Sequence, residues 1–93
     1  MTPALERATV HYSGRVQGIG FRWRACVAAE GHAVVGTVRN LRDGRVELVA
    51  EGERRAVERF LDDVRDRMGA LVASADVAWS PATGEFAGFG VVR

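Results

Sequence analysis

The stretch from Gly14 to Arg22 reads GRVQGIGFR, with three glycines (Gly14, Gly18, Gly20) inside seven residues and Arg15 and Arg22 flanking them. The alternating apolar residues Ala8, Val10 and Tyr12 precede it, and an alanine-rich stretch ending at Glu30 and Gly31 follows. Period two before and helical spacing after predict a strand, a glycine loop and a helix. Glycine tolerates positive φ and carries no Cβ, so such a loop curls until successive N–H groups share one concavity. The helix start adds unpaired donors and the positive end of its dipole, a combination that favours an anion such as phosphate. Arg22 falls in the first helical turn, where its planar fork grips two oxygens at once.

Composition alone leaves this turn open between an anion cradle and a plain tight turn. It is not a nucleotide P-loop, which needs Gly-Lys-Ser/Thr, because the chain has no lysine. The GxGxxG dinucleotide fingerprint is not met either. Ninety-three residues, 47% of them hydrophobic and 27% charged, make one folded domain over 1–93 with a short tail at 1–5. Thirteen basic residues, all arginine, nearly cancel twelve acidic ones, which speaks against bulk electrostatic binding of nucleic acid or membrane. A single cysteine, Cys26, excludes a disulfide framework and a multi-cysteine metal site, and two histidines, His11 and His32, do not make a zinc cluster. Without an apolar signal core or a run of transmembrane length, the expectation is a soluble, cytoplasmic protein.

In chain order, Arg7–Ser13 reads as a half-buried strand and Phe21–Glu30 as a helix with Phe21, Ala25 and Ala28 on one face and Gly31 as its stop. Cys26 reads as a buried small hydrophobe within or beside that packed face. Segments 33–40 and 45–50 are strands joined through Asp43-Gly44, a favoured hairpin turn, and so pair antiparallel. From Glu53 to Met68, Val57, Phe60, Leu61, Val64 and Met68 form an apolar helical stripe, opposite a charged and solvated face, ended by Gly69. Ala75, Val77 and Trp79 alternate in a fourth strand, and Phe86, Phe89 and Val91 mark a short last one. The order βαββαβ plus a terminal strand predicts an α+β, ferredoxin-like split βαβ sandwich: an antiparallel sheet with two helices on one face.

Neither a Ser-His-Asp nor a Cys-His arrangement is available, and Glu47, Glu51 and Glu53 read as surface charges. What remains is an anion cradle with one arginine aimed into it and polar residues of the neighbouring hairpin, chiefly Arg39 and Asn40. Asn40 ends its strand, where asparagine often serves only to turn the backbone. In a split βαβ fold that strand end can also lie beside the glycine loop, where an amide holds water in line with a bound phosphorus. Such a site suits a mixed carboxylic–phosphoric anhydride, whose carboxylate leaves without a general acid, so that catalysis reduces to positioning and charge stabilisation. A phosphate oxygen can itself take the water's proton. Each charged hydrogen bond from Arg22 is worth about 1.5–3 kcal/mol.

The chain resembles the acylphosphatases along nearly its whole length. GRVQGIGFR at 14–22 is similar to the family's phosphate-binding signature, GTVRNLRDGRVE at 36–47 to its second motif, and TGEFAGF at 83–89 to its closing pattern. The resemblance implies hydrolysis of acyl phosphates to carboxylate and phosphate without metal or organic cofactor, and nothing in the sequence demands more than a monomer. It implies Arg22 as the substrate-phosphate arginine and Asn40 as the residue orienting the nucleophilic water. Arg15, Val16, Gln17, Gly18, Ile19 and Gly20 correspond to the backbone cradle, and the only partner implied is a small acyl phosphate. Thr37 stands where an aromatic residue is common, Arg42 where proline is usual, and Trp23 where tyrosine or phenylalanine is usual. None removes a catalytic group, though Arg42 frees the turn's backbone and adds charge near the site.

Two other classes compete with this one. One is a non-catalytic module that binds phosphate or carbamoyl phosphate, since a similar domain begins the larger carbamoyltransferases of hydrogenase maturation. No zinc-finger cysteines or transferase domain follow Arg93, which disfavours it. The other is an RNA-recognition domain of the same βαββαβ order, but VELVA at 46–50 lacks the aromatics that would stack on bases.

Overall fold

The computed structural model describes residues 4–18 and 20–93. Strand β1 (Leu5–Gly14) buries Ala8, Val10 and Tyr12 on one face, as its alternation predicts, and takes in Leu5 from the expected tail. After the glycine loop come helix α1 (Phe21–Ala29), strands β2 (Val35–Asn40) and β3 (Val46–Glu53), helix α2 (Arg54–Met68), β4 (Val72–Pro81) and β5 (Phe89–Val91). The sheet order is β4-β1-β3-β2-β5. In register, Val10 opposes Leu48 and Leu48 opposes Val38, so all three strands turn the same face inward.

That face meets the apolar stripe of α2, where Val57, Phe60, Val64 and Met68 are buried, and Phe21, Ala25, Ala28 and Ala29 of α1. Fully burying one such large side chain is worth about 1.5–3 kcal/mol. Tilted aromatic contacts join the parts: Tyr12 lies 4.9 Å from Phe21, and Phe60 lies edge-on 5.3 Å from Phe89 of the last strand. Gly69 closes α2 at φ 54°, as expected of a glycine stop. Gly31 does not act that way and lies outside the left-handed region. Instead α1 tightens its last turn, with the amides of Glu30, Gly31 and His32 bonding the carbonyls three residues back.

One feature of the predicted sheet is corrected. β2 and β3 are antiparallel, but β5 runs parallel to β2, pairing Gly36 with Phe89 and Val38 with Val91, so the sheet is mixed. The cause is where the chain lands. β4 ends at Pro81 opposite Glu6, at the end of the sheet where β2 begins. The chain then crosses that end of the sheet to the far edge and enters β5 beside the start of β2. Phe86 belongs to this crossing and not to the strand.

Glu51 secures the crossing. Its carboxylate, only 3% exposed, accepts from Arg7 Nε at 2.7 Å, the Thr83 amide at 2.9 Å, the Thr83 hydroxyl at 3.1 Å and the Gly84 amide at 3.1 Å. Arg7 also pairs with Glu85 and lies 5.2 Å from the centre of the Phe86 ring. The reading of Glu51 as a surface charge is therefore wrong, because partners more than thirty residues away enclose it. Burial pushes its carboxyl up, but the donors from Thr83, Arg7 and Gly84 outweigh this and hold it below its ordinary value.

Candidate active site

The glycine loop leaves β1 through a bulge. The β1–β4 register shifts between Ser13 and Gly14, where φ is 120° and a Cβ would stand 2.6 Å from the Ala73 amide nitrogen. Gly14 therefore lets two strands approach. Gly18 and Gly20 differ: both are left-handed, at φ 75° and 78°, and open space lies where a Cβ would be. Gly20 is also the N-cap of α1 and offers no side-chain cap, and no acidic residue occupies the first turn. The opening amides of a nine-residue helix thus face outward beside the loop.

Arg22, in that first turn, is half-buried and makes no ion pair or side-chain hydrogen bond among the described residues. Asn40, the last residue of β2, is likewise half-buried. Both border one open cavity of about 300 Å3 together with Gly18 and Gly20. Residues that the rest of α1 and the whole of β2 separate in the chain thus share one space. Val16 also borders it but is 1% exposed and forms its floor. The Arg15 amide donates to the Leu71 carbonyl at 2.8 Å and is engaged away from the loop, leaving an exposed side chain. Ile19 lies outside the described residues.

Gln17 joins the loop to the hairpin. Its side-chain amide donates to the carbonyls of Leu41 and Arg45, at 2.8 and 2.9 Å. Those two residues bracket the turn after Asn40. The Gly44 amide returns to the Leu41 carbonyl with Gly44 at φ 95°, and Asp43 accepts from the Arg45 amide at 3.0 Å. Arg42, in place of a proline, is exposed in this turn.

One residue falls elsewhere than expected. Arg39 does not share the cavity: it bonds Glu47 at 3.0 Å on the open sheet face, and His11 holds the other oxygen of the same carboxylate. Burial pushes the Glu47 carboxyl up, but these two partners outweigh it and hold the group below its ordinary value. Cys26 lies beside the packed face of α1, against the core, as expected. It is half-buried and borders the cavity with Trp23, Phe21 and Val91. Burial, then Glu30, pushes its thiol up, so it is a neutral wall at neutral pH. The helical spacing from Trp23 to Cys26 was a usable signal; Val91 carried none, because its place depends on the direction of β5.

Among the described residues no three His, Cys, Asp or Glu side chains gather as a metal site would require. Nor is any helix there long and apolar enough to cross a membrane.

Comparison with known proteins bears on the chemistry. A family model described as Acylphosphatase matches residues 8–91. An acylphosphatase of Roseiflexus sp. (strain RS-1) is 46% identical over 89 residues, which cover 95% of this chain and 96% of that one. The crystal structure of acylphosphatase from Bacillus subtilis superposes with a TM-score of 0.86 at 31% identity, over 95% of this chain and 99% of that one. The crystal structure of T. kodakarensis HypF contains a similar region, with TM-score 0.80 and 28% identity, over 95% of this chain but 12% of HypF.

Proposed function

The chain belongs to the acylphosphatase family, and from that premise we propose how its cavity hydrolyses an acyl phosphate. The reaction converts a carboxylic–phosphoric anhydride and water into a carboxylate and inorganic phosphate. In this reading the phosphate sits over Gly18 and Gly20, among the amides of Gln17, Gly18 and Gly20 and the opening amides of α1, with Arg22 across two of its oxygens. Arg15 adds charge at the rim. Asn40 holds a water on the side of phosphorus away from the acyl oxygen. The water oxygen forms the new P–O bond, the bond to the acyl oxygen breaks with its electron pair, and the carboxylate departs. The water's proton passes to a phosphate oxygen.

The single observation that carries this reading is the convergence of Arg22, Asn40, Gly18 and Gly20 on one cavity. Positioning and charge stabilisation suffice for so good a leaving group. In the same reading one chain holds all the parts, and the enzyme works as a single-domain monomer without metal or organic cofactor.

Benzoyl phosphate hydrolysis in the presence of a chelator tests it. Wild type turns over unimpeded. Arg22→Ala loses two charged hydrogen bonds, about 3–6 kcal/mol in all, and falls by roughly 10²–10⁴-fold in kcat/KM. Asn40→Ala loses kcat while inorganic phosphate still competes with substrate at the wild-type concentration. A wild-type protein that binds phosphate but leaves benzoyl phosphate intact would be a binding module, and the catalytic reading would fall.

A further inference from the structure

The cavity lining is of two chemical kinds. Gly18, Gly20, Arg22 and Asn40 bring backbone amides and polar side chains to it; Trp23, Cys26 and Val91 bring apolar surface. Trp23 is 68% exposed and Val91 48%, and both are among the few large hydrophobic residues the described chain leaves open to solvent. Scattered exposed apolar residues are ordinary on a protein surface and need no explanation. These two come from different elements, one from the first turn of α1 and one from the last strand, and they meet at one cavity mouth. Cys26 lies three residues after Trp23, on the same side of the helix, and lines the same cavity. Arg22 and Trp23 both border that cavity, so a group extending from a phosphate held at Arg22 can meet the indole within it.

We infer that Trp23, Cys26 and Val91 form the acyl-side subsite and favour substrates with a flat, apolar acyl group, such as an aroyl phosphate, over acetyl or carbamoyl phosphate. This rests on Arg22 and Asn40 holding the phosphate end, as proposed above. An aromatic acyl group stacks on the indole and covers Val91. A methyl group covers little of that wall, and a carbamoyl group would set an amide against apolar carbon without a partner.

The test compares kcat/KM for benzoyl, acetyl and carbamoyl phosphate in wild type, Trp23→Ala, Trp23→Phe and Val91→Ser. Trp23 is exposed, so its replacement leaves folding intact. Trp23→Ala is expected to lower kcat/KM for benzoyl phosphate about tenfold, through KM, while the acetyl and carbamoyl values stay within twofold. Trp23→Phe retains most of the preference, and Val91→Ser loses part of it. A second readout avoids turnover: in a Trp79→Phe background, Trp23 emission responds to benzoylmethylphosphonate and not to acetonylphosphonate. Equal losses on all three substrates, or no loss on benzoyl phosphate, would overturn the subsite. Failure of wild type to hydrolyse any of the three would instead overturn the reading of Arg22 and Asn40.

Discussion

Gly36 lies directly against Val49: a Cβ built on Gly36 would stand 1.8 Å from the Val49 carbonyl oxygen, with φ at 153°. No side chain fits, and the obstacle is backbone that cannot swing aside. Gly36 also donates its amide to Gly88 at 2.9 Å, where the crossing from β4 reaches the far edge of the sheet. Gly36→Ala should therefore destabilise the protein by about 4 kcal/mol or more, at the extreme end of single substitutions. Urea unfolding measures this, and a midpoint close to wild type would show that the strand relaxes more easily than its geometry implies.

Gln17 is expected to act at a distance from the chemistry. Removing its side chain in Gln17→Ala strips a donor from the partly buried Leu41 and Arg45 carbonyls, worth about 1–3 kcal/mol of stability. It also loosens the turn that follows Asn40 relative to the glycine loop. Since misplacement by about 1 Å costs on the order of 10²-fold, kcat on benzoyl phosphate should drop by roughly 10–100-fold. Thermal melting and steady-state kinetics on the same variant check both parts. Loss of stability with kcat unchanged would confine Gln17 to a structural role.

The Glu51 clamp makes stability depend on acid. Its carboxyl titrates lower folded than unfolded, so in acid the unfolded chain binds the proton more readily. The contribution is complete above the ordinary glutamate value of 4.5 and is lost as pH falls through the lower folded value. Glu51→Gln should lose about 3 kcal/mol at pH 7, because Arg7 is left without its buried partner. The gap to wild type should narrow below about pH 4. Urea midpoints at several pH values decide it, and a gap that stays constant with pH would deny the carboxylate this role.

Cys26 should be slow to alkylate. With its thiol pushed up, it carries less thiolate at pH 7.5 than free cysteine, and iodoacetamide should react more slowly than with free cysteine. Because it borders the cavity, the modified protein should lose activity on benzoyl phosphate, and inorganic phosphate should not restore it. Mass spectrometry over a time course, paired with activity, follows both. Reaction at the free-cysteine rate would mean that the α1 side of the cavity is more open than the structure shows.

How far the chain could be read depended on the range of the signal. Ala8, Val10 and Tyr12, the stripe from Val57 to Met68, and Asp43-Gly44 are local patterns, and each specified its element. The meeting of Arg22 and Asn40 was legible because a strand end beside a loop follows from split βαβ topology. Arg39 was misplaced despite an available signal: Val38 points inward, so period two turns Arg39 to the other face. The direction of β5 and the burial of Glu51 depend on contacts between residues 51 and 83–84, and no pattern within either segment announces them. Val91 was missed for the same reason.

The short parallel strand gives the molecule a hinge in its energetics. β5 has three residues at a sheet edge, joined to β2 by a few hydrogen bonds and to the rest by Phe89 against Phe60. Such a unit opens at lower free energy than the β1–β3 centre, so hydrogen exchange at Val92 should run ahead of exchange at Leu48. Each such opening should carry Val91 away from the cavity it borders with Trp23. The proposed phosphate site and the proposed acyl subsite therefore rest on elements of different stability. Warming toward the melting point should erode discrimination between substrates before it erodes turnover.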